Sequence, residues 1–416
     1  MPGLCRSGTT SVPRSAAFTV NSSLACRLRC LARLWARRTG RAAQGPRSDR
    51  VATGAAMHFR VFDCWRLTAA MLIMAYHFLF FAPYGVEAGT QFLHRLLPLL
   101  DMFFMISGFL IASRYATRIA SVADYANFMR RRIARLYPLH FLTTMFFAAI
   151  ALVALVVGSA HHPWARDLAA LPLHLLALHG LGTTDELALN YPSWSVSAEF
   201  FAYALFPVIL LAFRWKGLAG LFALLAVWVG GLEYASWRGV FPSGHWTGAD
   251  TMGAYRAFAD FIAGSAIAVV VGRRMISITA HWPGIVLSVA AVAAMILQAP
   301  PYPTLLLLAL ALTATALAET ARPDSTAMLA PLMPVTRVSF GIYLLHPVME
   351  FVFLTVIWQR VLEPLGIISF YVYWTLPMVA TVAVAMLSDH FVERRFGGWI
   401  AGPRRPEGKP ARMASA

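Results

Sequence analysis

The sequence predicts an all-α polytopic integral membrane protein, with about ten transmembrane helices and one short re-entrant or interfacial segment. Three observations carry that prediction. Hydrophobic residues make up 59% of the chain and charged residues only 13%, too little charge to cover a soluble protein of this length. Apolar runs of about 17 to 23 residues recur, the length at which a helix crosses a hydrocarbon core. The ten-residue alternating segments of a membrane β-barrel are missing.

In chain order, residues 1–56 are rich in Arg, Ser and Ala, hold one acid (Asp49) and lack a sustained apolar core. Their composition is that of a transit peptide or of a disordered extension ahead of a start at Met57. The membrane domain is expected over 57–400, with a short cytoplasmic tail over 401–416. The first span, 63–82, contains Arg66 and His77. The second, 96–116, contains Asp101 and the pair Ser107-Gly108, small residues that let helices pack closely. The third, 138–158, is expected to begin at Pro138, after the cluster Arg130, Arg131, Arg132 and Arg135. The fourth, 193–213, carries Ser195, Glu199 and Tyr203 and stops before Arg214 and Lys216. Runs at 217–235, 254–272, 283–299 and 302–320 supply four more spans. The ninth, 338–358, holds His346, and the tenth is 366–388. The stretch 168–181 is short and interrupted by Pro172, His174 and His179.

The charge distribution settles the expected topology. Of the net charge of +16, residues 1–56 contribute +9, and the rest lies mostly in short loops between apolar runs. If 168–181 does not cross, the clusters at Arg130–Arg135, Arg214/Lys216, Arg273/Arg274, Arg322, Arg337, Arg394/Arg395 and Arg404/Arg405 share one side, as the positive-inside rule requires. The basicity is therefore topological, and no nucleic-acid partner is expected. The expected location is a bacterial plasma membrane, with membrane lipids as partners and both termini cytoplasmic. Cys5, Cys26 and Cys30 fall in the extension and leave Cys64 alone, so neither a disulfide framework nor a metal cluster is expected. The spacing of His161, His162, His174 and His179 is irregular and suits interfacial residues, not a metal site.

Arg66 and His77 are the most informative residues. An ionisable group inside a membrane segment is costly and marks function by default. Eleven positions apart, they lie on one helix face, separated by roughly 16 Å of rise. By depth, Asp101 and Glu199 come closest to His77.

Five strings bear on identity: Phe62-Asp63-Cys64-Trp65-Arg66 with His77; Asp101-Met102-Phe103-Phe104-Met105-Ile106-Ser107-Gly108-Phe109; Arg131-Arg132-Ile133-Ala134-Arg135-Leu136-Tyr137-Pro138; Pro192 through Tyr203; and Ser339-Phe340-Gly341-Ile342-Tyr343-Leu344-Leu345-His346. Their order and placement resemble the membrane acyltransferase family 3, which includes O-antigen, exopolysaccharide and peptidoglycan O-acetyltransferases. The resemblance covers about 57–400. It implies an enzyme moving an acyl group, usually acetyl, from cytoplasmic acyl-CoA to a hydroxyl of a glycan or glycolipid. It also implies functional roles for Arg66, His77, Arg132 and Arg135. Cys64-Trp65 departs from the family pattern, and nothing after residue 400 resembles the esterase-like domain fused to some members.

The chemistry implied by the resemblance fits the residues. Acyl transfer from a thioester needs a base, for which histidine is the usual choice, and an acidic partner fixes its tautomer. His77 is the expected base, with Asp101 its first partner and Glu199 its second. Arg66 holds donor phosphates or polarises the carbonyl. Arg130, Arg131, Arg132 and Arg135 suit CoA phosphates. Ser195 and Tyr203, on the face of Glu199, and His346 are the candidates for acceptor contact. No metal is expected. Two other readings stay open: an acyltransferase for a small glycosylated metabolite, and a proton-coupled transporter, against which the chain shows no internal repeat.

Overall fold

A computed structural model describes residues 58–402, except 84, 159–163 and 249. The N-terminal extension, His161, His162, Arg404 and Arg405 therefore lie outside the described residues. Every regular element within them is helical. We number the main helices α1 (Arg60–Phe78), α2 (Leu99–Tyr115), α3 (Val122–Val156), α4 (Trp194–Lys216), α5 (Leu218–Trp237), α6 (Gly253–Gly272), α7 (Trp282–Ile296), α8 (Pro301–Ala321), α9 (Ser339–Met349) and α10 (Thr375–Ser388). Among the described residues nine helical segments are long and apolar enough to cross a membrane. The seventh expected span, 283–299, is a shorter apolar helix, α7. The protein is a multi-pass membrane protein. The stretch 168–181 is broken into short pieces, Trp164–Ala169, Leu171–Leu175 and His179–Leu181, none long enough to cross.

Two helices depart from expectation for local reasons. The third was expected to begin at Pro138, yet α3 begins sixteen residues earlier, where Ser121 caps it: its Oγ accepts from Asp124 N–H at 3.2 Å and donates to Asp124 Oδ2 at 2.8 Å. Such a cap satisfies orphan N–H groups and sets the helix start. Proline inside a helix removes the bond to the carbonyl four residues back and crowds that carbonyl with its ring, here that of Ala134. The backbone of Gly397 packs directly on that carbonyl, leaving no room for a Cβ. The other departure is α9, which passes at Glu350 into a π-helical stretch, Glu350–Leu362. α10 likewise continues through Asp389–Glu393 into Arg394–Ala401, the segment that carries Gly397 onto α3.

The core is organised around α2 and α6. Gly108 abuts the Phe261 carbonyl, and Gly264 abuts that of Met105; a Cβ at either would collide with backbone. This reciprocal small-residue contact brings the two helices close enough to pack by backbone, as the Ser107-Gly108 pair foretold.

Candidate active site

Arg66, on the second turn of α1, projects into a narrow cavity of about 120 Å³, also lined by Arg132, Arg135, Ser195, Glu199 and Tyr203. The long α3 explains the arginine pair. On a helix, residues three apart are neighbours, so Arg132 and Arg135 face the cavity together. Arg132 donates to the Tyr115 hydroxyl at 3.1 Å, and Arg135 pairs with Glu393 Oε2 at 3.0 Å. The Arg66 guanidinium lies 4.4 Å from the centre of the Phe103 ring, and its buried Nε finds no protein partner among the described residues. Glu199 accepts a hydrogen bond from Ser107 Oγ at 2.6 Å, while its buried Oε2 has no partner among the described residues. A second, wider cavity of about 470 Å³ shares Arg66, Arg135 and Phe340 with the first and adds His58 and Arg337. Arg130 and Arg131 line neither cavity; Arg130 bonds Asn127 at the exposed surface.

His77 sits elsewhere, against Tyr191 and His346, with ring centres 4.6 and 5.3 Å away. Among the described residues its ring nitrogens meet no hydrogen-bond partner. His346 is held by its own helix. Pro347 has no N–H to offer the carbonyl of Tyr343 four residues back, and His346 Nδ1–H donates to that oxygen at 2.7 Å. The other nitrogen, Nε2, then faces the Tyr191 hydroxyl at 3.1 Å. The same hydroxyl lies 2.8 Å from Glu350 Oε2. One hydroxyl proton thus serves two acceptors, so a second proton must sit on Glu350 or on His346. Tyr191 and Glu350 line a further cavity of about 330 Å³ with Trp164, Arg166, Asp167 and Glu186.

Asp101 is not the partner of His77. Both its oxygens are taken by Arg256 on α6, Oδ1 by Nε and Oδ2 by Nη2, each at 2.5 Å. Arg256 Nη1 also donates to the Thr247 carbonyl at 2.6 Å. Depth in the membrane matched Asp101 to His77, but the side chain turns toward the buried cation, which cannot stay unpaired. Glu199, the second choice, belongs to the arginine cavity. The residues next to His77 are Tyr191, His346 and, through them, Glu350. Arg256 and Glu350 carried a legible signal, since each is an ionisable residue inside an apolar run; Tyr191, ahead of its helix, carried none.

Of the predicted acceptor contacts, Ser195 and Tyr203 line the arginine cavity, whereas His346 stands with His77. Tyr343 joins the two groups: it lines the arginine cavity, and its ring centre is 5.9 Å from that of His346. The histidines of the short stretch form a buried stack, His174 on His179 at 3.9 Å and His179 beside His140 at 5.8 Å. Burial first, then neighbouring His140, push His174 down to about 4, so it is neutral at neutral pH. No group of described residues has the arrangement of a metal site.

Residues 59–390 match the acyltransferase domain that defines acyltransferase family 3. The chain belongs to that family. Over 150 residues it is 33% identical to the acyltransferase MdmB of Streptomyces mycarofaciens, a stretch covering 34% of this chain and 37% of the relative. The chain thus matches little more than a third of that curated relative's length. No solved structure matches it. The family match spans α1 to α10 and therefore takes in Arg66, His77, Arg132, Arg135 and the Tyr191–His346–Glu350 network together.

Proposed function

We propose that the protein is an O-acyltransferase that moves an acyl group, usually acetyl, from acyl-CoA to a hydroxyl of a glycan or glycolipid at the membrane. The observation that carries this reading is the convergence of Arg66, Arg132 and Arg135 on a cavity whose far wall, Tyr343, backs onto the His77–His346 pair. Guanidinium groups bind phosphate oxygens bidentately, which suits the CoA pyrophosphate in the wider outer cavity beside Arg66, Arg135 and Arg337. The narrower inner cavity then receives the pantetheine arm and its thioester. On this reading the arginine face is cytoplasmic, by the positive-inside rule, and the membrane is the plasma membrane.

The chemistry follows from the residues. His77 offers a nitrogen without a protein partner and takes the proton of the acceptor hydroxyl. The oxygen attacks the thioester carbonyl; a C–O bond forms and the C–S bond breaks. The CoA thiolate takes up a proton from the medium on its own side, and His77 releases the acceptor's proton to the medium on the acceptor side, which restores the neutral base. Arg66 stabilises charge developing on the thioester oxygen, an electrostatic role strongest in a water-poor site. His346 and Tyr191 keep His77 from turning, and Glu350 fixes Tyr191.

The test is CoA release by purified protein in detergent. Acetyl-CoA should be consumed slowly alone and much faster with envelope glycan or glycolipid from the producing cells, which should gain the label of [14C]acetyl-CoA. Unlabelled glycan, with no acyl-CoA binding by calorimetry, would overturn the reading.

A further inference from the structure

On the membrane face where α2, α4 and α6 end, a cleft of about 520 Å³ opens between these helices. The geometry points to a binding site for an anionic phospholipid, headgroup phosphate at the rim and acyl chain within. The rim carries Arg114, Arg118, Arg273 and Arg274, and no carboxylate lines the cleft among the described residues. The floor is apolar: Phe109, Phe206, Phe213 and Leu221 are buried in the protein yet line the cavity. Aromatic and aliphatic walls under a ring of guanidinium groups complement a molecule with one charged end and a hydrocarbon body.

Two local features shape the charged rim, and the first favours a used site over a purely topogenic charge cluster. The first is Arg273. Its guanidinium lies 5.6 Å from the centre of the Phe213 ring, and its buried Nε has no protein partner among the described residues. The second is the end of α6. Met275 N–H bonds the Val270 carbonyl at 3.2 Å and Arg274 N–H bonds that of Val271 at 3.0 Å, a closure that places the intervening residue in the left-handed region. Glycine normally fills such a position; here it is Arg274, with φ +49°. The same closure with a residue other than glycine ends helical pieces at Ala177 and Gln298, so it is a way of stopping a helix; at α6 it leaves Arg274 on the lining of the cleft as a fourth cation. The site is separate from the arginine cavity: α2 stands between them, and Leu110 touches both.

The experiment is native mass spectrometry of the purified full-length protein, incubated with mixed micelles of phosphatidylglycerol and phosphatidylcholine. Each basic residue near a lipid headgroup contributes about fivefold in affinity, so phosphatidylglycerol should be retained at least tenfold over phosphatidylcholine. Arg114→Gln/Arg273→Gln should lower its retention about twentyfold and leave phosphatidylcholine unchanged, while Arg114→Lys/Arg273→Lys should keep most of the preference. If loss of Arg273 prevents folding, Arg114→Gln/Arg274→Gln gives the same readout from exposed residues. Equal retention of both lipids, unchanged phosphatidylglycerol in the monodisperse Gln variants, or displacement of the lipid by free CoA would overturn the proposal. Since no acyl transfer is measured, failure of the catalytic reading leaves this result intact.

Discussion

Replacing Asp101 with Asn is expected to damage stability, and to harm catalysis only through it. The Asp101–Arg256 pair is almost fully enclosed, with side chains 3% and 7% exposed, and its two short contacts use both carboxylate oxygens. Removing one partner of such a pair strands a buried charge and costs about 3–5 kcal/mol. Arg256 keeps its bond to the Thr247 carbonyl, and Asp260, one turn along α6 and buried, remains as a second carboxylate. The cost of Asp101→Asn therefore falls toward about 3 kcal/mol, and adding Asp260→Asn moves it toward about 5. At about 2–4 °C per kcal/mol for a large domain, the single change lowers the melting midpoint by about 6–12 °C. The assay is thermal unfolding in detergent, followed by size-exclusion of the surviving monodisperse fraction, with transfer rate measured on that fraction. Asp101→Leu/Arg256→Met, which removes both charges, should recover most of the lost stability. A variant Asp101→Asn with an unchanged midpoint and a collapsed kcat would refute this argument and return Asp101 to the chemistry.

Three further outcomes follow. His77→Gln keeps the size of the side chain but not the base, so transfer should drop about 10²–10⁴-fold, while acyl-CoA affinity by calorimetry stays within threefold of the parent (about 0.6 kcal/mol). Arg132→Ala and Arg135→Ala each lose a charge-assisted contact of about 1.5–3 kcal/mol, so the KM for acyl-CoA should rise about ten- to a hundredfold with the acceptor KM unmoved; an unchanged donor KM would leave these arginines a topogenic role alone. Tyr191→Phe removes the hydroxyl between His346 and Glu350 and leaves the ring beside His77, so it should lower kcat while the folded midpoint moves by less than that of Asp101→Asn; an unaltered pH profile of kcat would show that the network does not set the protonation of the site.

Helices and depth were legible in the sequence because both follow from one-dimensional patterns. An apolar run fixes a span, and a residue's place in the run fixes how deep it lies. Direction around the helix axis was legible only within one helix, as with Ser195, Glu199 and Tyr203, or Arg132 and Arg135. Between helices it was not: Asp101 and His77 share a depth, yet Asp101 faces α6 and Arg256. The same limit hid Glu199's place beside Ser107. Pro138 misled in another way, since a proline is a probable helix boundary and not a certain one, and α3 carries it in its interior. The helix begins instead at its Ser121 cap, so α3 carries the arginines into the cavity as helical residues, with Gly397 packed close to the Ala134 carbonyl.

Pro347 shows why such a residue is better read as a hydrogen-bond statement than as a helix breaker. By withholding its N–H it leaves the Tyr343 carbonyl open within a buried helix, where an unpaired acceptor is costly. His346, one residue before, closes that vacancy with Nδ1–H. The tautomer of His346 is thereby set by backbone chemistry, without an acidic partner, and its Nε2 is left to face Tyr191. A carboxylate stands near a histidine here, but it is neither of the acids expected for His77: Glu350 reaches His346 through the Tyr191 hydroxyl. Glu350 also begins the π-helical stretch, a distortion frequent at functional sites, so the same few residues at the end of α9 and just beyond it carry the proline, the histidine, the acid and the change of helix. A local pattern of this kind, histidine before proline with an acid three residues on, supplies the orientation around the axis that depth alone could not.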